Sequence, residues 1–358
     1  MKHKTLTNTI AVVLGTAIAL SACGGERASH ATSPSSVTST VAAPSPRATA
    51  VLPPSLLPEP TGRLSVGVRV VASLSPAATT RVWYPARSGT GTAPAIYLAD
   101  KTAAAYGLPP KQLKGAVPRA SVNAEPAPTT DARAAVLLMP GWGLPMALST
   151  ALAQDLASNG YVVVTVDPTF GTEDQNTLPP DTARPGRRFE QISAAIDFAA
   201  GPRISTFAGP VDPNKIAVGG HSIAGAVAFQ VALTDRRVHA VFDLDGWLHG
   251  PALETSVTVP ALMVDASGLE PATRTVVGRT TTAVTVKLAG ATHLDVTDLP
   301  CLVRGLGAAA RLIRLGSVGC AGTTTTNAVV LSFLDTVLRD GKRTPSAASL
   351  TRGLAAIR

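Results

Sequence analysis

Asn214-Lys215-Ile216-Ala217-Val218-Gly219-Gly220-His221-Ser222-Ile223-Ala224-Gly225 is the stretch whose reading decides the fold. The β-branched apolar run Ile216 to Val218 predicts a strand. Two glycines end it, Ser222 follows, and the small residues from Ala224 to Ala232 predict a helix that starts at once. Strand, serine, helix is the layout of a nucleophile elbow, a sharp turn that exposes the serine hydroxyl above the end of a sheet. Strand and helix can approach closely there only if the residues two before and two after the serine are small. Gly220 and Ala224 satisfy this, although glycine is usual at the second position and here Gly225 comes one place later. A glycine near a serine means little alone, since both are common turn residues. The flanking strand and helix carry the reading.

Outward from the elbow, strands and helices alternate. Val66–Val71, Arg81–Pro85, Ala134–Met139, Tyr161–Val166, Val238–Asp245, Ala261–Asp265 and Val284–Leu288 read as strands. Helices are expected from about Met146 to Asn159, from Arg187 to Ala200 and from about Thr324 to Arg339. Residues 86–132 look loop-rich, with one short helical stretch around Tyr97–Tyr106. Strands that are apolar throughout, separated by helices, imply a mostly parallel sheet with helices on both faces. There is no internal repeat.

The chain has 358 residues, 45% of them apolar, enough to bury a sizeable core. The net charge of +8 is spread without runs of Lys or Arg and with only 4% aromatics, so nucleic-acid binding has little support. Residues 1–22 have the form of an export signal: Lys2 and Lys4, then an apolar run from Ile10 to Leu20 too short for an ordinary membrane span. The run ends Leu20-Ser21-Ala22-Cys23-Gly24, which resembles the lipobox of bacterial lipoproteins. That resemblance implies that Cys23 is lipidated and becomes the mature N-terminus. Residues 23–60 are rich in Ala, Ser, Thr and Pro, cannot bury enough surface to fold, and read as a tether to a domain over 61–358.

A serine hydroxyl needs a base to take its proton and an acid to orient that base. Of six histidines, His3 and His30 fall in the signal and tether. His221 adjoins the serine but points elsewhere on an elbow, and His239 starts a strand, at the wrong end of a parallel sheet. His293, in the loop straight after the last predicted strand, is the preferred base, with His249 behind it. The acid has more candidates. Asp243 and Asp245 end the strand after the elbow helix and alternation places them on one face, so periodicity does not choose, although Asp245 is nearer the carboxyl end. Asp265 and Glu270 follow the next strand, and Asp265 is the credible rival.

In order and spacing these stretches resemble the α/β-hydrolase superfamily, and within it the platelet-activating-factor acetylhydrolase-like branch, over about residues 60–340. Pro60-Thr61-Gly62 and Val82-Trp83-Tyr84-Pro85 are similar to that branch's N-terminal strands. Pro140-Gly141-Trp142-Gly143 stands where its His-Gly-x-Gly oxyanion turn would be, Gly220-His221-Ser222 matches its elbow, and Leu244-Asp245-Gly246-Trp247 resembles its Leu-Asp-x-Trp acid motif. The resemblance implies a triad of Ser222, Asp245 and His293, with the amides of Trp142 and Ile223 as oxyanion donors. Actinobacterial cutinases and polyester hydrolases share the turn and elbow but take their acid after the next strand. In an exported protein the remaining cysteines, Cys301 and Cys320, read as a disulfide.

The expectation is therefore an exported, membrane-tethered serine hydrolase of α/β-hydrolase fold acting on lipid or short-acyl esters, with no metal or organic cofactor and no nucleic-acid partner. The rivals are a cutinase or polyester hydrolase and a non-catalytic binding lipoprotein. A dienelactone-type hydrolase would need a cysteine nucleophile, which is absent.

Overall fold

The computed structural model describes residues 54–71, 74, 78–168, 184–306 and 313–351. The expected signal peptide, Cys23, most of the tether and most of loop 170–186 lie outside these residues.

Among the described residues ten strands form one sheet. In chain order they are β1 (Ser65–Val71), β2 (Ala78–Ala86), β3 (Ala93–Pro94), β4 (Ala120–Val122), β5 (Arg133–Met139), β6 (Val162–Pro168), β7 (Val211–His221), β8 (Val238–Leu244), β9 (Ala261–Asp265) and β10 (Ala283–Lys287). Their spatial order is β10-β9-β8-β7-β5-β6-β2-β1-β4-β3. From β10 to β6 every pairing is parallel. The sheet turns antiparallel at β2, which pairs with β6 and β1.

The side chains of the central strands separate by parity, as a period of two demands. In β5, Ala135, Leu137 and Met139 face one core layer, while Ala134, Val136 and Leu138 face the other. The principal helices are α1 (Thr150–Ser158), α2 (Arg184–Ala200), α3 (Ile223–Thr234), α4 (Pro271–Arg279) and α5 (Cys320–Leu334). Ile192, Ile196 and Ala199 of α2 and Val227 and Val231 of α3 cover the first layer. Leu152 and Leu156 of α1 and Val330 and Phe333 of α5 cover the second. Each fully buried Val or Leu adds roughly 1.5–3 kcal/mol over its exposed state, so both faces need cover and the strands read as unbroken apolar runs. The fold is the mostly parallel sheet with helices on both faces that the sequence implies.

The chain runs β5, α1, β6, α2, and then returns past β5 to place β7 on its other side. Between β5 and β7 the strand order reverses, and the crevice beyond their carboxyl ends is where ligands bind in open parallel sheets. Both the Pro140–Gly143 turn and Ser222 emerge there.

The 86–132 region holds more structure than its loop-rich reading suggests: helices Asp100–Ala105 and Pro110–Leu113 and the short strands β3 and β4. Leu57, Tyr97, Leu108 and Leu113 form a third cluster with Leu148, Leu294 and Leu302. Elements of two to six residues carry too few repeats for a periodic signal; this cluster holds the two helices, and β4 is held by pairing with β1 and β3 by pairing with β4. Helix Leu299–Leu306 and α5 are joined by a disulfide between Cys301 and Cys320, with Cα atoms 4.4 Å apart. Closing a loop of that length contributes about 3 kcal/mol in the chain-entropy model.

Candidate active site

Ser222 stands between the last residue of β7 and the first of α3, with φ 58° and ψ −128°. A non-glycine residue adopts a positive φ only where its surroundings over-determine it. Here its N–H donates to Leu244 O at 3.0 Å and its carbonyl accepts from Ala226 N at 3.2 Å. A Cβ on Gly220 would lie 2.7 Å from Ala224 Cβ, so the corner tolerates one methyl group and has it at position 224. That explains why alanine serves where glycine is usual. Ile223 opens α3, so its amide is among those with no acceptor inside the helix and lies at the positive end of the helix dipole.

The Pro140-Gly141-Trp142-Gly143 turn follows β5, the strand beside β7. Gly141 presses against the elbow: a Cβ there would collide with the His221 ring and lie 3.3 Å from Ser222 Cβ. Trp142 is partly buried in this turn.

β8 ends at Leu244, and Asp245 leaves it with φ 58°. The strand alternation is broken at that point, so Asp243 and Asp245 part company. Asp243 is fully buried under the elbow and accepts from Gly246 N at 2.7 Å; burial raises its carboxyl far above the usual range. Asp245 instead reaches across to the loop after β9. Its Oδ1 accepts from Ala266 N at 2.6 Å and Ser267 N at 2.7 Å, and its Oδ2 from Ser267 Oγ at 2.6 Å. The same Oδ2 lies 2.8 Å from His293 Nδ1. Burial works to raise the Asp245 pKa, but the hydrogen bonds from His293 and Ser267 together outweigh it and hold the carboxyl below its ordinary value.

His293 follows β10 and is partly exposed, with its backbone carbonyl accepting from His221 Nε2 at 2.8 Å. A carbonyl only accepts, so His221 carries its proton on Nε2. Burial first, and the neighbouring His293 second, bring the His221 pKa down to about 3, which makes it neutral. His221 and Ser267 are the polar neighbours that sequence reasoning passed over, since neither has a signal beyond adjacency to a motif.

The other candidates go elsewhere. Asp265 accepts from Gly268 N at 2.7 Å and pairs with Lys287 Nζ at 3.0 Å. Glu270 caps α4 through Thr273 N. His249 is exposed, and its carbonyl accepts from Gln230. Among the described residues no group of three or more His, Cys, Asp or Glu is arranged to hold a metal ion.

Sheet, elbow and crevice define an α/β-hydrolase fold. Comparison with known proteins places relatives beside it. A family model described as PETase, PET hydrolase-like, matches residues 122–275, which include the turn, the elbow and all four acid candidates but not His293. Cutinase 1 of Thermobifida cellulosilytica is 33% identical over 132 residues, 37% of this chain and 46% of the cutinase. The bis(hydroxyethyl) terephthalate hydrolase of Streptomyces coelicolor is 32% identical over 137 residues, 37% of this chain and 39% of that enzyme. The chain thus spans less than half the length of the curated relatives it matches. A solved ferulic acid esterase from Streptomyces cinnamoneus superposes with a TM-score of 0.66 at 27% identity, covering 81% of this chain and 94% of that one. The chain is similar to ester hydrolases along most of its folded length.

Proposed function

We propose that this chain is a serine hydrolase that cleaves carboxylic esters through an acyl-enzyme intermediate. The observation that carries this is the ordered set at the carboxyl ends of the parallel strands: a strained serine on an elbow, and a histidine 2.8 Å from a buried carboxylate held below its ordinary pKa. Ser222 Oγ attacks the ester carbonyl carbon and gives its proton to Nε2 of His293. Asp245 holds His293 in the tautomer with a proton on Nδ1 and stabilises the imidazolium that forms. The amides of Ile223 and Trp142 receive the negative charge on the former carbonyl oxygen. The intermediate collapses, the alcohol leaves with the proton from His293, and a water molecule repeats the sequence to release the acid.

Two substrate readings compete. The Asp245 placement favours the acetylhydrolase-like pattern and small acyl esters. The named activities of the relatives favour cutin-like, terephthalate or hydroxycinnamoyl esters. Rates on p-nitrophenyl esters of graded length, bis(hydroxyethyl) terephthalate and an acetylated glycerophospholipid separate them. The hydrolase reading itself is tested with a fluorophosphonate. The reagent should label wild type at Ser222, and Ser222→Ala should lose labelling and turnover while remaining folded. An unlabelled, inactive wild type would leave a binding protein on a hydrolase fold.

The lipobox at Cys23 supports export and a membrane anchor. Cys23→Ser should then leave the membrane fraction. A wild-type mature protein without lipid by mass spectrometry would end that part of the proposal.

A further inference from the structure

Arg188, near the start of α2, is a charged side chain that the reaction above does not use. It is 1% exposed. Burial lowers its pKa to about 10, against the favourable field of Asp167 and Tyr106, so it remains a cation at neutral pH. An ion so buried is costly unless it is well hydrogen-bonded. Its partners include two consecutive carbonyls of the turn beside the elbow. Nη1 donates to Pro140 O at 2.8 Å and Nη2 to Gly141 O at 3.3 Å.

The second of these carbonyls belongs to the peptide that carries the Trp142 amide. A trans peptide is planar, and its N–H points opposite to its C=O. Drawing Gly141 O toward the guanidinium therefore turns the Trp142 N–H away from Arg188. Hydrogen bonding of a cation to the carbonyl also polarises the peptide and strengthens its N–H as a donor. Gly141 meanwhile lies against Ser222, within 3.3 Å of its Cβ once a Cβ is added to the glycine.

Resting on the hydrolase reading above, we propose that Arg188 is the positioning residue of the oxyanion hole, a buried cation that orients and polarises the Gly141–Trp142 peptide from behind. It touches no reacting atom and acts only through that peptide. Its contribution appears when charge develops on the substrate oxygen, not when substrate binds.

The test compares wild type with Arg188→Met and Arg188→Lys on p-nitrophenyl acetate and against a trifluoromethyl ketone. The ketone adds Ser222 Oγ to its carbonyl carbon, leaves an alkoxide in the oxyanion hole and places the serine proton on His293. Arg188→Met should lower kcat on the order of 10- to 100-fold with KM within about twofold, below the 10^2 to 10^3 lost when a whole oxyanion donor is removed. Ketone affinity should fall by the same factor as kcat/KM. Arg188→Lys, which keeps the charge, should recover part of both. A folded Arg188→Met with wild-type kcat, a loss confined to KM, or an unmoved ketone affinity would each overturn the inference. If Arg188→Met does not fold, Arg188→Lys and Arg188→Gln are judged by the same split between kcat and KM. A wild type that is inactive and unlabelled by fluorophosphonate overturns the hydrolase reading and this inference with it; an active wild type with an unaffected variant overturns the inference alone.

Discussion

At the scale of single residues the decisive difference is between Asp245 and Asp265, which lie at the carboxyl ends of the neighbouring strands β8 and β9. Asp245 is 3% exposed and accepts four hydrogen bonds, one of them at His293 Nδ1. Asp265 faces Lys287. The loop after β9 thus contributes donors to Asp245: Ser267 Oγ and two backbone amides hold a carboxylate that follows β8. Replacing Asp245 with asparagine keeps the shape and removes the charge that the proposed mechanism uses to stabilise the imidazolium. Asp245→Asn should therefore lower kcat on the order of 10^4-fold, the cost seen in the serine-protease template. Asp265→Asn should stay close to wild type, and Asp243→Asn controls for damage to β8. Steady-state kinetics of the three variants check this, and a dead Asp265→Asn beside a nearly normal Asp245→Asn would return the acid to the cutinase-like position. Both aspartates were visible in the sequence. Alternation did not choose between Asp243 and Asp245, because it assumes extended backbone and Asp245 has φ 58°, whereas nearness to the carboxyl end and the Leu244-Asp245-Gly246-Trp247 resemblance pointed to Asp245.

At the scale of elements, the elbow and the histidine turn come from segments 72 residues apart and are joined directly. His221 Nε2 donates to His293 O at 2.8 Å, and the two rings stand 4.5 Å apart. The turn after β10 is also held by Asp245 at His293 Nδ1, by Asp295, which accepts from Thr292 N and Gly316 N, and by Leu294 in the third cluster, while His221 ties it directly to the residue beside Ser222. Misplacing a reacting group by about 1 Å can cost on the order of 10^2-fold in rate. His221→Ala should accordingly lower kcat roughly 10- to 100-fold, with fluorophosphonate labelling of Ser222 slowed but not abolished. Unchanged kinetics in a folded variant would show that the tie does not position the base. The elbow strand and helix were legible because strong apolar runs flank a fixed motif. The His221 link was not, since nothing local distinguishes a histidine that bonds its neighbour loop from one that faces solvent.

For the molecule as a whole, stability should carry a signature of its buried carboxylates. Asp298 accepts from Ala151 N at 3.2 Å and from Tyr97 OH at 3.3 Å, tying α1 to the third cluster. Burial raises its pKa to about 7. A carboxyl whose folded pKa lies above its unfolded value binds more protons folded than unfolded, so its contribution is full at low pH and is lost as pH rises through the folded pKa. Replacing it with neutral asparagine removes that loss. The Tm of Asp298→Asn relative to wild type should rise as pH goes from about 4 to about 7 and then level off. Scanning calorimetry at several pH values measures the difference. A gap that is flat across this range would show that Asp298 is ionised throughout.

The sequence by itself determined the sheet and the motifs. Continuous apolar strands can be buried only between two helical layers, and a serine between a strand and a small-residue helix has few other uses. Those are local or periodic properties, written within ten or twenty residues. Tertiary structure alone decided what holds Asp245 against His293, what holds the turn at Gly141, and how residues 86–132 fold. Each depends on groups far apart in the chain: Asp245 on the amides after β9, Gly141 O on Arg188 47 residues away, Tyr97 on Asp298 201 residues away. A hydrogen bond across such a span leaves no periodic trace, because its energy depends on where the two segments meet and not on the residues beside either one.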